Sequence, residues 1–207
     1  MSNKNNINIF LNDLPDDLVL LGPISIDTEA MGLNINRDRL CLVQIADSNG
    51  KIFVVKFPVN SYKAPNLSKV LSDPSILKIF HFARFDVAML YKYLNVTTEN
   101  LYCTKIASRI ARTYTDCHGL KDLCRELLGV TISKAQQSSD WGNAELSEEQ
   151  IKYAAGDVVY LANLKKVLDK ILVRENRLDL AHECFKFIAH RALLDIRGWA
   201  DIDIFAH

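Results

Sequence analysis

Three groups of residues in this chain stand where they could hold a cation and move a proton. Asp27-Thr28-Glu29 follows the apolar run Ile24-Ser25-Ile26. Residues two apart on a strand point to the same side, so both carboxylates can converge on one point, and two clustered negative charges attract a cation. Asp86 closes His81-Phe82-Ala83-Arg84-Phe85-Asp86, just after a second apolar strand and near the start of a helix. Tyr153 and Asp157 are four apart on a helical stretch, which presents a phenol and a carboxylate side by side. Each feature alone has a plain structural reading: a solvated strand end, an acidic residue suited to a helix dipole, a residue on a polar helix face.

The elements that would position these groups can be read from the hydrophobic pattern. Leu18–Leu21, Ile24–Ile26, Leu40–Ile45 and Ile52–Val55 are short apolar or alternating runs, separated by turn formers such as Gly22-Pro23 and Asp47-Ser48-Asn49-Gly50. The short links favour an antiparallel meander. After Pro65 the order becomes helix to Leu71, strand Ile76–Phe80, and helix from about Phe85 to Leu94, an α/β arrangement. From Thr104 the pattern is mostly helical, with Leu120, Leu123, Cys124, Leu127 and Leu128 on one face and Gly129 as a stop. Leu146-Ser147-Glu148-Glu149-Gln150-Ile151 carries a capping box and a hydrophobic staple. That start sets a register in which Ile151, Ala155, Val158 and Ala162 share one face, and Tyr153 and Asp157 another.

Composition bounds the reading further. The chain has 207 residues, 49% of them hydrophobic, which is enough for one real core. We expect a single domain over 1–207. Twenty-five Lys and Arg balance twenty-five Asp and Glu, which disfavours coating of long nucleic acid through a basic surface. A small polyanion at one local site remains open. The first residues lack the pattern of a signal peptide and no stretch approaches the roughly 20 apolar residues of a membrane span. A soluble cytoplasmic protein without membrane contact is therefore expected. Its five cysteines, Cys41, Cys103, Cys117, Cys124 and Cys184, contain no C-x-x-C pair and read as reduced, mostly buried thiols.

Taken together, Asp27-x-Glu29, Asp86 and Tyr153-x-x-x-Asp157 resemble the three motifs of the DEDD superfamily of 3′-5′ exonucleases, in the subgroup with tyrosine in the third motif. Arg39-Leu40-Cys41-Leu42-Val43-Gln44-Ile45, His81, Gly119-Leu120-Lys121-Asp122-Leu123, Lys134 before Ser139-Asp140-Trp141, and Asp157-Val158-Val159-Tyr160-Leu161 resemble ribonuclease D. The likeness runs from about Ile24 to Leu172. Ribonuclease D carries helical nucleic-acid-binding domains after the catalytic one, and this chain is too short to hold them. Its length, the segment Cys103–Ser108, Arg112–Asp116 and the tail Gly198–His207 are most similar to NrnC-type nano-RNases.

The resemblance implies a ribonuclease H-like α/β fold, a central mixed sheet whose first three strands are antiparallel, flanked by helices. It implies 3′-5′ hydrolysis of short RNA, dinucleotides above all, to nucleoside 5′-monophosphates. Asp27, Glu29, Asp86 and Asp157 would hold two divalent cations, Mg²⁺ or Mn²⁺, with Asp27 bridging both. Tyr153 would orient the attacking water and help remove its proton. In substrate binding, Leu33 would wedge between two bases or, in the plain reading, pack under its turn. His81, Arg84, Lys105 and Arg112 are candidates for phosphate contacts, and Gln137, Ser138 and Ser139 for a cap on a terminal phosphate. Trp199, Ile202, Ile204 and Phe205 make the tail, about 195–207, apolar enough for a subunit contact in a homo-oligomer, in this family an octameric ring; folding back on the domain is the other reading. Two rival functions stay open: trimming of longer RNA such as tRNA 3′ ends or of DNA, and an inactive nucleic-acid-binding module.

Overall fold

The structure is a computed structural model and describes residues 7–133, 135–136 and 139–207. Its centre is a mixed sheet of six strands. β2 (Ile24–Ala30), β3 (Leu40–Ala46) and β4 (Ile52–Lys56) form the antiparallel meander expected from their short links. β1 (Ile7–Leu11) joins the outer side of β4 in parallel. On the other side, β5 (Lys78–Phe80) pairs parallel to β2, and β6 (Leu101–Cys103) parallel to β5, giving the order β1-β4-β3-β2-β5-β6. The antiparallel trio thus begins at the second strand of the chain. Leu18–Leu21, expected to be a strand, is irregular and joins no ladder. Both edge strands escape the sequence pattern, because β1 alternates Ile with Asn and Phe, and β6 has three residues supported by long-range pairing.

Eight helical segments among the described residues cover the sheet. α1 (Pro65–Ser72) starts with proline in its first turn, where the missing N–H costs nothing. α2 (Ala83–Leu94) is followed by α3 (Thr104–Ala111) and α4 (Leu120–Leu128). Gly129 ends α4 in the left-handed region at φ 69°, with its N–H donating to the Cys124 carbonyl. α5 (Glu148–Val159) opens with the full capping box, in which Ser147 Oγ accepts from Gln150 N–H and Gln150 Oε1 accepts from Ser147 N–H. α5 stops at Val159 and a separate α6 (Leu161–Arg174) follows, so Ala162 lies on the next helix and not on the α5 face expected for it. α7 (Leu178–Leu194) runs into a wide π-type turn, α8 (Asp195–Trp199). No helix among the described residues is long and apolar enough to cross a membrane.

Two apolar clusters hold this arrangement. The larger joins one sheet face, with Ile26, Val43 and Ile45, to α1 to α4, α6 and α7. The smaller, on the opposite face, joins Leu42, Ala46 and Val54 to Ala154, Ala155 and Val158 of α5 and to Trp141. β3 is buried along its whole length, as its near-continuous apolar sequence requires. The cysteines are all free thiols, three of them buried.

Candidate active site

Alternation along β2 divides its end between the two sheet faces. Asp27 and Glu29 share the face of their ladder partners Gln44 and Leu42, the face covered by α5. Thr28 projects to the other face, where its hydroxyl donates to Asp86 Oδ1 at 2.6 Å. A register shift between Glu29 and Ala30 ends the regular pairing at this point, a local bend of the kind that re-aims side chains beside functional sites. α5 brings in Asp157, and the carboxylate oxygens of Asp27, Glu29 and Asp157 lie within 4.8 Å of one another. Asp86, buried in the first turn of α2, stands outside that trio but adds its charge to it.

Crowding and burial raise the proton affinity of Asp27, Glu29 and Asp86. Asp27 is pushed well above the usual carboxylate range, first by desolvation and then by Asp86, Glu29 and Asp157. Glu29 rises to about 9 from desolvation and the charges of Asp157 and Asp86. Desolvation lifts Asp86 to about 7, against the hydrogen bond from Thr28. The Tyr153 hydroxyl is also raised, by desolvation, by the charges of Asp157 and Glu29, and by its hydrogen bond to Asp157. Such a cluster is unfavourable as it stands, and a positive charge set among its oxygens relieves it. All the donors are carboxylate oxygens, so the residues fit a hard divalent cation. A second acidic group, Cys117, Asp122 and Glu126, has a different character, since Glu126 and Asp122 are already paired with Arg112 and Arg125.

The trio opens into a cleft of about 560 Å³, the size of a small-ligand site. Leu33 stands on its lining and is 86% exposed, so the reading that packs it under its turn is not what the structure shows. The loop carrying it is braced from α2: Lys92 Nζ donates to the Ile35 and Asn36 carbonyls, and the Tyr93 hydroxyl to the Asp38 carbonyl. His81, Lys105 and Ser139 also line the cleft. His81 Nδ1 is 2.9 Å from Thr104 Oγ1, and Ser139 Oγ accepts from Gln150 Nε2 at 2.9 Å. Gln137 and Ser138 lie outside the described residues.

Two expected phosphate contacts lie elsewhere. Arg84 forms a two-pronged ion pair with the buried Asp195 and donates to the Ala200 carbonyl. Arg112 is buried, paired with Glu126 and donating to the Cys117 carbonyl at 2.9 Å. Both guanidinium groups are spent on structure, and neither lines the cleft. Conversely, Phe82 was missed. It sits at φ 66°, a left-handed conformation rare for a bulky residue, 46% exposed on the lining, with Lys105 Nζ 4.2 Å from its ring centroid. Its place between His81 and Asp86 was the available signal; its backbone geometry left none. Lys121 also lines the cleft from the first turn of α4.

A profile of 3′-5′ exonuclease domains matches residues 6–173. The chain belongs to the 3′-5′ exonuclease family. Its ribonuclease H-like α/β fold is the fold of that family, and the family typically uses divalent metals. Ribonuclease D of Gluconacetobacter diazotrophicus is 36% identical over 156 residues, 75% of this chain and 39% of that protein. The chain spans about two fifths of the length of the curated ribonuclease D relatives it matches. Similarity to NrnC of Brucella melitensis extends over nearly the whole of both chains. The structure of that protein bound to pGG is 51% identical with a TM-score of 0.93, covering 98% of each chain. Its structure with bound Mg²⁺ is 50% identical with a TM-score of 0.93, covering 98% of this chain and 99% of that one.

Proposed function

We propose that this exonuclease hydrolyses short RNA from the 3′ end, dinucleotides above all, and releases nucleoside 5′-monophosphates. The observation that carries this reading is the Asp27, Glu29 and Asp157 trio at one end of a small cleft that also presents the exposed Leu33. The near-full-length likeness to an NrnC that binds pGG supports it. Asp27, Glu29, Asp86 and Asp157 would hold two divalent cations, Mg²⁺ or Mn²⁺. Bound there, the cations supply charge stabilisation to the attacking and leaving oxygens of an in-line displacement at phosphorus.

The protein's own groups do the rest. Tyr153 keeps its proton on Oη in this anionic setting and orients the attacking water by hydrogen bonding; only the added positive charge brings that phenol towards proton removal. Leu33 wedges between the two bases, a contact indifferent to base identity. Lys105 and His81 face the phosphates across the cleft, and Ser139 approaches a terminal phosphate. The reading includes a homo-oligomer, an octameric ring, built in part on the tail. There Trp199, Ile202, Ile204 and Phe205 stay 43–79% exposed even though Phe205 packs on Phe187. Light scattering on the purified protein checks the subunit number.

The deciding experiment is turnover of 5′-labelled RNA of two, five and about twenty nucleotides, with Mn²⁺, Mg²⁺ or chelator, and with Asp157→Ala as control. Preference for the dinucleotide is expected, with Asp157→Ala slower by about 10³-fold, the scale on which loss of transition-state charge stabilisation is felt. Faster trimming of the twenty-mer moves the protein to the ribonuclease D reading. Metal-independent silence on all three substrates favours a binding module.

A further inference from the structure

Gln44 is the only polar side chain on β3, whose sequence is Leu-Cys-Leu-Val-Gln-Ile-Ala. It is 0% exposed, and neither its Nε2 nor its Oε1 has a hydrogen-bond partner among the described residues. An amide buried without partners is expensive, and an apolar side chain would suit this strand as well as its neighbours do. Something beside Gln44 must therefore use the amide. In the β2–β3 ladder its direct partner is Asp27. Directly opposed residues of antiparallel strands carry their side chains on the same face, with Cβ atoms about 4.5–5.5 Å apart. On that face Leu42, Ala46, Val54, Ala155 and Val158 offer no side-chain acceptor, and the two acceptors that β2 adds, Ser25 and Glu29, lie diagonal to Gln44, farther than the directly opposed Asp27.

We infer that Gln44 is a positioning residue for the acidic cluster: its Nε2, unpaired here and opposite Asp27 in the ladder, turns to donate to the Asp27 carboxylate when the cluster binds its cation and so fixes that ligand's orientation. The site already contains the same device on its opposite face, where the neutral Thr28 hydroxyl donates to Asp86. A neutral donor suits this task because it steadies a ligand oxygen without cancelling its charge. A lysine or arginine at position 44 would put its own charge where the cation belongs. Outer hydrogen bonds of this kind orient metal ligands and are worth about 10–100-fold in metal affinity. The inference rests on the reading that the cluster holds a divalent cation.

The test is Mn²⁺ binding to the purified protein, followed by the electron paramagnetic resonance signal of free Mn²⁺, for wild type, Gln44→Met and Gln44→Asn, with Asp27→Asn as reference. Methionine keeps the volume and removes the donor; asparagine keeps the amide but draws it back by one methylene. Both variants are expected to bind Mn²⁺ about tenfold or more weakly. The melting temperature of Gln44→Met in chelator should not fall, because a buried unpaired amide has been replaced by an apolar group. Wild-type Mn²⁺ affinity in either folded variant overturns the inference, and a lowered melting temperature with unchanged affinity would make Gln44 purely structural. Should Gln44→Met not fold, Gln44→Asn carries the comparison. A wild-type protein that binds no Mn²⁺ would instead defeat the cation reading itself, an outcome distinct from unchanged variants.

Discussion

Asp27, Glu29 and Asp157 repel one another in the folded protein, and the pH dependence of folding follows from that. Carboxyl groups whose proton affinity rises on folding hold protons that the unfolded chain has already released. Stability then falls as pH increases, across the window from the ordinary carboxylate range near about 4 up to the raised values of about 7 for Asp86 and about 9 for Glu29. Melting in chelator should therefore fall steadily from pH 5 to 9, and Asp27→Asn should flatten the slope; a flat wild-type profile would contradict the electrostatics. Leu33 gives a second prediction at this scale. At 86% exposure it contributes little to folding, so Leu33→Ala should leave the melting temperature unchanged. Turnover of dinucleotide should fall about tenfold, the worth of burying a leucine, and that of a twenty-mer much less; an equal loss on both would remove the wedge. The acidic residues were legible because their spacing is the chemistry. Arg84 and Arg112 were misread because the acids that claim them, Asp195 and Glu126, lie 111 and 14 residues away, and no local pattern announces such a pairing.

Among the elements, α5 carries two of the five chemical groups and owes its start to local signals. Ser147 and Gln150 satisfy each other's end of the helix, and Gln150 Nε2 also donates to Ser139 Oγ and to the Asp140 carbonyl, tying the incoming loop to the first turn. Ser147→Ala should cost about 1 kcal/mol, a fall in melting temperature of about 2–4 °C for a domain of this size. Hydrolysis should slow with it, because Tyr153 and Asp157 take their register from that turn. A thermal melt and a rate measured on the same sample check both. Self-contained signals of this kind explain why α5, α1 and the Gly129 stop were readable in the sequence. β1 and β6 were not, since each exists only through a partner strand distant in sequence, while Leu18–Leu21 had the composition of a strand and no partner to make it one.

Across the whole molecule, the carboxyl end is tied to the site helix. Asp195 is 2% exposed and receives Arg84, two residues before Asp86, as well as Arg191 from α7 at 3.1 Å. Both arginines also hold carbonyls of the tail, including that of Ala200. Asp195→Ala leaves two cations without their shared partner and should cost about 3 kcal/mol, readable by urea unfolding. A loss below about 0.5 kcal/mol, the range of ordinary surface changes, would show that the tie is decorative. The α/β order was legible from the hydrophobic pattern. This tie was not, because it joins residues at the two ends of a long separation through a turn that the sequence marks only with Gly198.

The braced loop under Leu33 bears on how a catalytic cycle ends. Held by Lys92 and Tyr93, it presents the leucine in one place before any ligand arrives. On the proposed function, a wedge grips only while two bases flank it and a backbone joins them. Cleavage of that backbone converts one bidentate guest into two monodentate ones, each holding half of the contact. On that reading, the step that breaks the phosphodiester also loosens both products.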